Sequence, residues 1–302
     1  MQAVNNNIKP LAGQLKEREP LARYTSWRVG GEADYFYKPA NIEDTQRYLR
    51  SLSGDESVLW LGLGSNVLVR DGGVRGVVIY TRGCLKRMEQ TSDELLMVEA
   101  GVPCALVAKF AAEKNLSGAE FLAGIPGTMG GALAMNAGAF GGETWHLVKR
   151  VVMLNRHGDL IERQANEFTV GYRSVSVAED EWFVACYLDL PKGVHEEGRE
   201  KIRQLLAKRS KTQPTNIPSG GSVFKNPEGD YAARLIEATG LKGYRLGGAQ
   251  VSEKHANFIL NTGEATAKDI ENLIDDVKSQ VKEQHGVLLE TEVRIIGEEL
   301  AS

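Results

Sequence analysis

The chain has 302 residues, 42% hydrophobic and 25% charged, with Lys+Arg 36, Asp+Glu 40 and a formal net charge of −4. These values predict a globular protein of about two or three domains. They give no reason to expect bulk attraction to nucleic acid or to an anionic membrane, although a local basic pocket is compatible with them. No apolar run approaches the ~18 residues of a membrane span. The polar start Met1–Asn7 does not read as a secretory signal, so a cytoplasmic location is expected. Cys84, Cys104 and Cys186 are odd in number and widely spaced, which suits small core residues rather than disulfides or a zinc site. The histidines (His146, His157, His195, His255, His285) form no metal-like pair, and no structural metal is expected.

Residues 1–20 read as a polar lead-in. Ala33 to Lys38 is strand-like. Asn41 caps a helix reaching Leu52, with Glu43 and Asp44 in its first turn. The apolar run Ser57 to Leu61 predicts a buried strand, and Gly76–Thr81 and Leu95–Ala100 predict two more. Pro103 opens a helix over Cys104–Lys114, with Val107, Ala108 and Ala111 on one face. Leu147–Leu154 and Leu160–Gln164 form a hairpin around Arg156 to Asp159, and Trp182–Leu190 is a further strand. The region 20–193 is therefore α+β.

Gly193 to Lys211 is charged and predicts a helix linking two domains. A smaller α/β unit follows. Its clearest helix runs from Thr266 to Gln284, with Ile270, Leu273, Ile274, Val277 and Val281 at helical spacing. Thr266 and Asp269 suit a capping box, and Gly286 suits the stop. The last strand is read over Val287–Ile296. Alternation there puts Glu290, Glu292 and Arg294 on one face, which reads first as a solvated face, and Leu289, Val293 and Ile295 on the other.

Two glycine-rich turns carry the chemistry. The first, Gly62-Leu63-Gly64-Ser65-Asn66, follows the buried strand; the second runs Gly124-Ile125-Pro126-Gly127-Thr128-Met129-Gly130-Gly131. Glycine lets main chain approach a ligand, and successive N–H groups can face one anion. Two such loops meeting would suit the diphosphate of a dinucleotide. There is no Gly-Lys-Ser/Thr and no complete Gly-x-Gly-x-x-Gly, since position 67 is Val. This excludes a Walker-type loop and disfavours an ordinary nicotinamide-binding unit. The second loop continues into small residues through Asn136, Ala137 and Gly138, which suit either tight helix packing or a ligand laid on the backbone. Thr25 to Gly31 reads equally as a bulged strand start or a wall of the cofactor site. Ser222, in Ser219-Gly220-Gly221-Ser222-Val223-Phe224-Lys225-Asn226-Pro227, is flanked by glycines that would let a ligand reach it, and upstream Lys211 could offer charge to an anion. Arg173, in Gly171-Tyr172-Arg173-Ser174, is uninformative alone. Pattern does not choose between Glu290 and Glu292.

Taken together, Thr25–Gly31, Gly62–Val69, Gly124–Glu143, Gly171–Ser174, Gly220–Pro227, Gly247–Asn261 and Leu289–Gly297 resemble the UDP-N-acetylenolpyruvoylglucosamine reductase family, in its order and over nearly the whole chain. The resemblance implies an FAD-binding fold of the vanillyl-alcohol-oxidase type over 20–193, in subdomains of about 20–85 and 86–193. A substrate domain over 206–291 and a strand end and tail over 292–302 complete it. It implies that Gly62, Gly64, Ser65 and Asn66, with Gly124, Ile125, Pro126, Gly127, Thr128, Gly130 and Gly131, hold the FAD diphosphate, with Asn136, Ala137 and Gly138 beside them. Arg173, Ser222 and Glu292 fall on catalytic positions. Tyr172, Lys211, Asn226 and His255 fall on substrate-contact positions. The segment around Gly247–Asn261 is similar to the shorter subclass, without the extra tyrosine loop of the longer one.

The implied reaction reduces an enolpyruvyl ether with NADPH through FAD. Hydride addition to the alkene builds charge on the conjugated carboxylate, where Arg173 would supply a permanent cation. Glu292 would have to be neutral, its pKa raised by burial, or orient a neighbour. Ser222 would donate the proton. No histidine precedes His146, so noncovalent FAD is expected. The expected partners are the sugar nucleotide and NADPH, with neither nucleic acid nor membrane, and the expected assembly is a monomer. The rivals are a flavin oxidase or dehydrogenase acting on an alcohol or hydroxy acid, and a nonenzymatic nucleotide-sensing module.

Overall fold

The computed structural model describes residues 10–300, so the reading of Met1–Asn7 lies outside the described residues. Two sheets carry the N-terminal two thirds. The first has the order Gln14–Pro20, Glu32–Lys38, Val74–Tyr80, Val58–Leu61. The last three of these are mutually parallel, and Gln14–Pro20 pairs antiparallel on the edge. The second is an antiparallel sheet ordered Leu160–Gln164, Val148–Asn155, Glu181–Asp189, Leu95–Glu99, Met88–Ser92. The sheets meet over Tyr37, Val77, Ile79, Leu154 and Val184.

The lead-in expected over residues 1–20 is corrected by the strand Gln14–Pro20. Most of its residues are exposed, so it has no apolar face for a periodicity to reveal. The helix Ile42–Ser51 begins as its sequence predicts: the Asn41 side chain accepts from Asp44 N at 2.8 Å. The helix Cys104–Glu113 buries Val107, Ala108 and Ala111. Helix His195–Thr212, expected as a linker, docks on it through Gly198 and Ile202. Cys104 and Cys186 lie in the same core and Cys84 is half-buried, all as free thiols.

The C-terminal unit packs helix Ala267–His285 on the sheet Arg245–Leu246, Ala249–Val251, Ile259–Asn261. Thr266 and Asp269 form the capping box, and Gly286 takes the left-handed stop at φ 69°. Its core takes in Trp27, Val29 and Leu68 from the far end of the chain. Trp27 Nε1 donates to Ile259 O at 2.8 Å, and Asn261 Nδ2 donates to Trp27 O at 2.8 Å. Arg70 pairs with Glu271 at 2.7 Å, and Asp71 accepts from the first turn of the long helix.

The final strand is shorter than its alternation predicts. Only Arg294–Ile296 is regular, and it pairs parallel with Val67–Val69, a strand not read from the sequence. The residues before it serve the serine segment instead: Lys225 N donates to Glu290 O and Glu292 N to Val223 O. Those bonds replace a sheet partner.

A side chain at Gly220 would meet the Trp27 ring at 2.4 Å. Trp27 is fully buried and hydrogen-bonded, so it has nowhere to go. Gly220→Ala is expected to cost about 1–3 kcal/mol in urea unfolding, the usual scale of overpacking. An unchanged midpoint would show that the ring yields.

Candidate active site

The hairpin Val170–Gly171/Ser174–Val175 turns at Tyr172 and Arg173. Arg173 has φ 53° and Asn136 φ 46°, both left-handed. Asn136 is buried, and its side chain is used within the protein. Nδ2 donates to Glu143 at 2.9 Å and to Gly171 O at 3.1 Å, and Oδ1 accepts from Trp145 N at 3.2 Å. Asn136 thus holds the Arg173 turn, and any contact with a cofactor falls to its main chain. The guanidinium donates to Asn136 O at 3.3 Å and to Gly138 O at 3.0 Å. A Cβ at Gly138 would lie 2.8 Å from Arg173 Nη1, so the absent side chain makes room for the cation. These bonds leave donors over on Nη1 and Nη2. Arg173 also stands over the Tyr172 ring, 5.1 Å from its centroid, while Tyr172 itself is exposed.

Arg173 Nε lies 3.3 Å from Glu292 Oε1. The solvated face expected for both glutamates is half right. The side chain of Glu290 is 74% exposed beside Lys225, whereas that of Glu292 is 12% exposed. Burial pushes the Glu292 carboxyl above its ordinary range, against the pull of Arg173 and Lys225.

Ser222 lies in a segment held on both sides. Asn257 accepts from Val223 N and Phe224 N at 3.0 and 2.9 Å, and its Nδ2 donates to Phe224 O at 2.8 Å. On the other side Val223 O takes Glu292 N at 2.8 Å. This ladder brings the serine segment to the strand of Glu292. Asn226 is exposed, and its Oδ1 accepts from Ala232 N, at the start of helix Ala232–Ala238. His255 is half-buried and edge-on to Phe258; burial lowers its pKa, and its Nδ1 has no partner among the described residues.

The two glycine loops meet. A Cβ at Gly62 would sit 2.3 Å from Thr128 Oγ1, a buried hydroxyl without a partner among the described residues. Along Gly62–Asn66, no main-chain N–H has a protein acceptor among the described residues, and all five residues are buried or half-buried. The second loop differs from expectation. The N–H groups of Ile125, Gly127, Met129 and Gly130 are donated within the protein, which leaves this loop a wall more than a donor array. Asn66 has a further use: its Nδ2 donates to Glu292 O at 3.0 Å and its carbonyl accepts from Arg294 N at 3.0 Å. Unfilled half-buried donors, an orphan hydroxyl and glycines at the point of contact fit the diphosphate of FAD.

Two cavities border this contact. One, about 710 Å³, is lined by Ser65, Pro126 and Gly221 and by Thr25, Ser26 and Arg28, so the Thr25–Gly31 stretch is a wall. Arg209 lines it too; exposed Lys211, two residues on, does not. The other, about 400 Å³, is lined by Gly62, Gly130, Gly131, Trp60 and Trp182. Gly221, next to Ser222, lines the larger cavity, and Val175 and Arg294, each two residues from Arg173 and Glu292, line the smaller; the three expected catalytic residues themselves line neither. Sequence reading missed Arg23, Arg82 and Arg209 as lining residues; only the nearness of Arg209 to Lys211 offered a signal.

Fold and loops define a flavoprotein: residues 33–163 match the FAD binding domain family. Residues 213–296 match the family described as UDP-N-acetylenolpyruvoylglucosamine reductase, C-terminal domain. A protein of Methylococcus capsulatus with that enzyme's name is 60% identical over 96% of this chain and 95% of its own length. One from Alkalilimnicola ehrlichii is 54% identical over 99% of each. The crystal structure of the Thermus caldophilus enzyme superposes with a TM-score of 0.80 at 32% identity, covering 94% of this chain and 98% of that one. The chain belongs to the UDP-N-acetylenolpyruvoylglucosamine reductase family.

The raised pKa of Glu292 predicts a pH dependence. Well below 4.5 the carboxyl is neutral in folded and unfolded chains alike. As pH rises past 4.5, the unfolded chain ionises first, which favours unfolding until the folded pKa is also passed. The stability of Glu292→Gln relative to the parent should therefore rise between pH 4 and pH 7 in paired denaturation curves. A constant difference would contradict the burial argument.

Proposed function

We propose that this chain reduces UDP-N-acetylglucosamine enolpyruvate to UDP-N-acetylmuramate with NADPH, through noncovalently bound FAD, in peptidoglycan precursor synthesis. The observation that carries the reading is the row of unfilled N–H groups along Gly62–Asn66 beside the orphan Thr128 hydroxyl. Such donors call for an anion of the diphosphate kind. Family membership supplies the substrate. The C-terminal match counts against an oxidase acting on alcohols or hydroxy acids. Both nucleotide ligands are polyanions that do not cross a bilayer unaided, which supports a cytoplasmic enzyme. Among the described residues, no helix is long and apolar enough to cross a membrane.

When bound, FAD supplies the hydride chemistry. In this reading the first loop holds its diphosphate through main-chain donors, while Gly124–Gly131 and Asn136–Gly138 shape the seat. Arg173 stabilises the charge that grows on the substrate carboxylate. Its two carbonyl partners aim the guanidinium without neutralising it. Burial disfavours the charged form of Glu292, and in its neutral form the carboxyl would donate a hydrogen bond there instead of repelling the charge. Ser222 delivers a proton to the substituted carbon. Its held backbone matters more than its acidity, because the acceptor is a strong base. Tyr172, Lys211, Asn226 and His255 are assigned to the sugar nucleotide on the family resemblance. The amide nitrogen of Asn226 remains available for that task.

The purified protein should be yellow and bleach on addition of NADPH; a colourless protein that takes up no FAD would end the reading. In Ser222→Ala, bleaching should persist while reoxidation by the enolpyruvyl substrate slows by about 10²–10³-fold, the scale of one lost transition-state donor. Normal reoxidation in rapid-mixing traces would remove the serine from the proton transfer. Arg173→Lys should retain flavin and lose most turnover, because an ammonium cannot span both carbonyls and still face a carboxylate; near-normal turnover would refute that role.

A further inference from the structure

Arg173 sits on a turn with little to hold it. The hairpin beneath it has two residue pairs, Val170–Val175 and Gly171–Ser174, and Val170, Gly171, Tyr172 and Ser174 are exposed. A two-stranded ladder of that size is marginal in water. Val175 packs on the neighbouring core, which secures the stem rather than the turn. Apart from Glu292, the polar contacts that reach the turn from outside the hairpin, among the described residues, come from one short segment. Asn136 Nδ2 donates to Gly171 O, while Asn136 O and Gly138 O accept from the guanidinium.

Asn136 has to be held in its turn. It is buried, with a left-handed backbone at φ 46°. Its amide donates to Gly171 O and to Glu143 Oε2, the latter at 2.9 Å. Without that carboxyl a buried donor is left unpaired on a strained residue. Glu143 stands opposite Gly138 in the hairpin Gly138–Ala139/Gly142–Glu143. Phe140 at its tip also has a left-handed backbone, φ 53°, which is rare for a bulky residue. Its surroundings impose it: a Cβ at Gly124 would lie 2.4 Å from the Phe140 ring, and one at Gly142 would lie 2.5 Å from the Phe121 ring. The hairpin is thus wedged against the start of the second glycine loop. Glu143 Cγ and Arg173 Nη1 both crowd the place of a Gly138 Cβ, at 3.3 and 2.8 Å, yet no ion pair joins the two residues among the described residues. The carboxyl is spent on Asn136 and not on the cation.

We propose that Glu143 is a positioning residue for Arg173: through Asn136 it aims the guanidinium at the anionic group of the bound ligand and ties that aim to the second glycine loop. The inference rests on the reductase reading for the carboxylate that Arg173 faces. The hydrogen bond does the aiming, since Asn136 needs an acceptor there and not a charge.

The test uses the flavin-loaded holoenzyme with Glu143→Ala, Glu143→Gln and the pair Glu143→Ala/Arg173→Lys, followed by rapid mixing in both half-reactions. Glu143→Ala should keep its flavin and its rate of bleaching by NADPH. Its reoxidation by the enolpyruvyl substrate should slow by about 10–10²-fold, the loss that a misplacement of ~1 Å brings. Glu143→Gln keeps an acceptor and should recover most of that loss. On the Arg173→Lys background the alanine should add little, because both changes act through one cation. Phenylglyoxal modification, located at Arg173 by peptide mapping, reads the side chain without turnover: Glu143→Ala should react several-fold faster than the parent or Glu143→Gln. Flavin loss, or equal slowing of both half-reactions, would make Glu143 structural only and overturn the proposal. So would normal reoxidation, unchanged modification or additive losses in the pair. If the parent bleaches but the enolpyruvyl substrate does not reoxidise it, the reductase reading fails, and the modification rates still decide whether Glu143 holds Arg173.

Discussion

Asn66 is the point on which the site depends. Its side-chain amide and its own carbonyl grip Glu292 O and Arg294 N, across 226 residues of sequence. The grip ends the first glycine loop and starts the parallel pairing of Val67–Val69 with Arg294–Ile296. Glu292 N is at the same time held by Val223 O, beside Ser222. One short segment is therefore tied on one side to the cofactor loop and on the other to the serine. A loop with unfilled donors tolerates little drift, because diphosphate and reacting carbon must keep their separation. The joint between Trp27 and the strand Ile259–Asn261 braces the same contact from behind.

Charge is handled by placement more than by pairing. Arg173 meets a carboxyl that burial keeps from ionising easily, so the cation is only partly spent on its neighbour. Main-chain oxygens aim it, and these cannot be titrated away. The cost appears in the backbone. Arg173 and Asn136 both sit at positive φ, a strain of about 1–3 kcal/mol each. The three hydrogen bonds of the Asn136 side chain offset part of it. A second group of cations, around the larger cavity, has no carboxylate partner among the described residues.

Much of this was legible along the chain. Local rules located the helices Ile42–Ser51, Cys104–Glu113 and Ala267–His285, because caps, a leading proline and a terminal glycine act within a few residues. The strands Val58–Leu61, Val74–Tyr80 and Leu95–Glu99 were legible from their apolar runs, but the first, expected to be buried, lies on a sheet edge and buries only Leu61 fully. What failed had no local signal. The edge strand Gln14–Pro20 is too polar to announce itself, and Val67–Val69 is too short. The alternation at Leu288–Ile296 identified the buried leucine and valine but could not tell two glutamates apart. One meets Arg173 and the other meets solvent, a difference made by the hairpin turn at Tyr172 and Arg173 from another part of the chain.

The amino-acid order alone established the α+β character, the two glycine turns and, through an ordered set of short segments, the family, because these are properties of neighbouring residues and their spacing. The tertiary structure decided which donors remain unfilled, which glutamate is buried, that Asn136 and Asn226 spend side-chain atoms within the protein, and that Arg209 rather than Lys211 lines the larger cavity. Those outcomes depend on hydrogen-bond partners and burial supplied by residues far away in sequence. Only the folded chain brings such partners within reach.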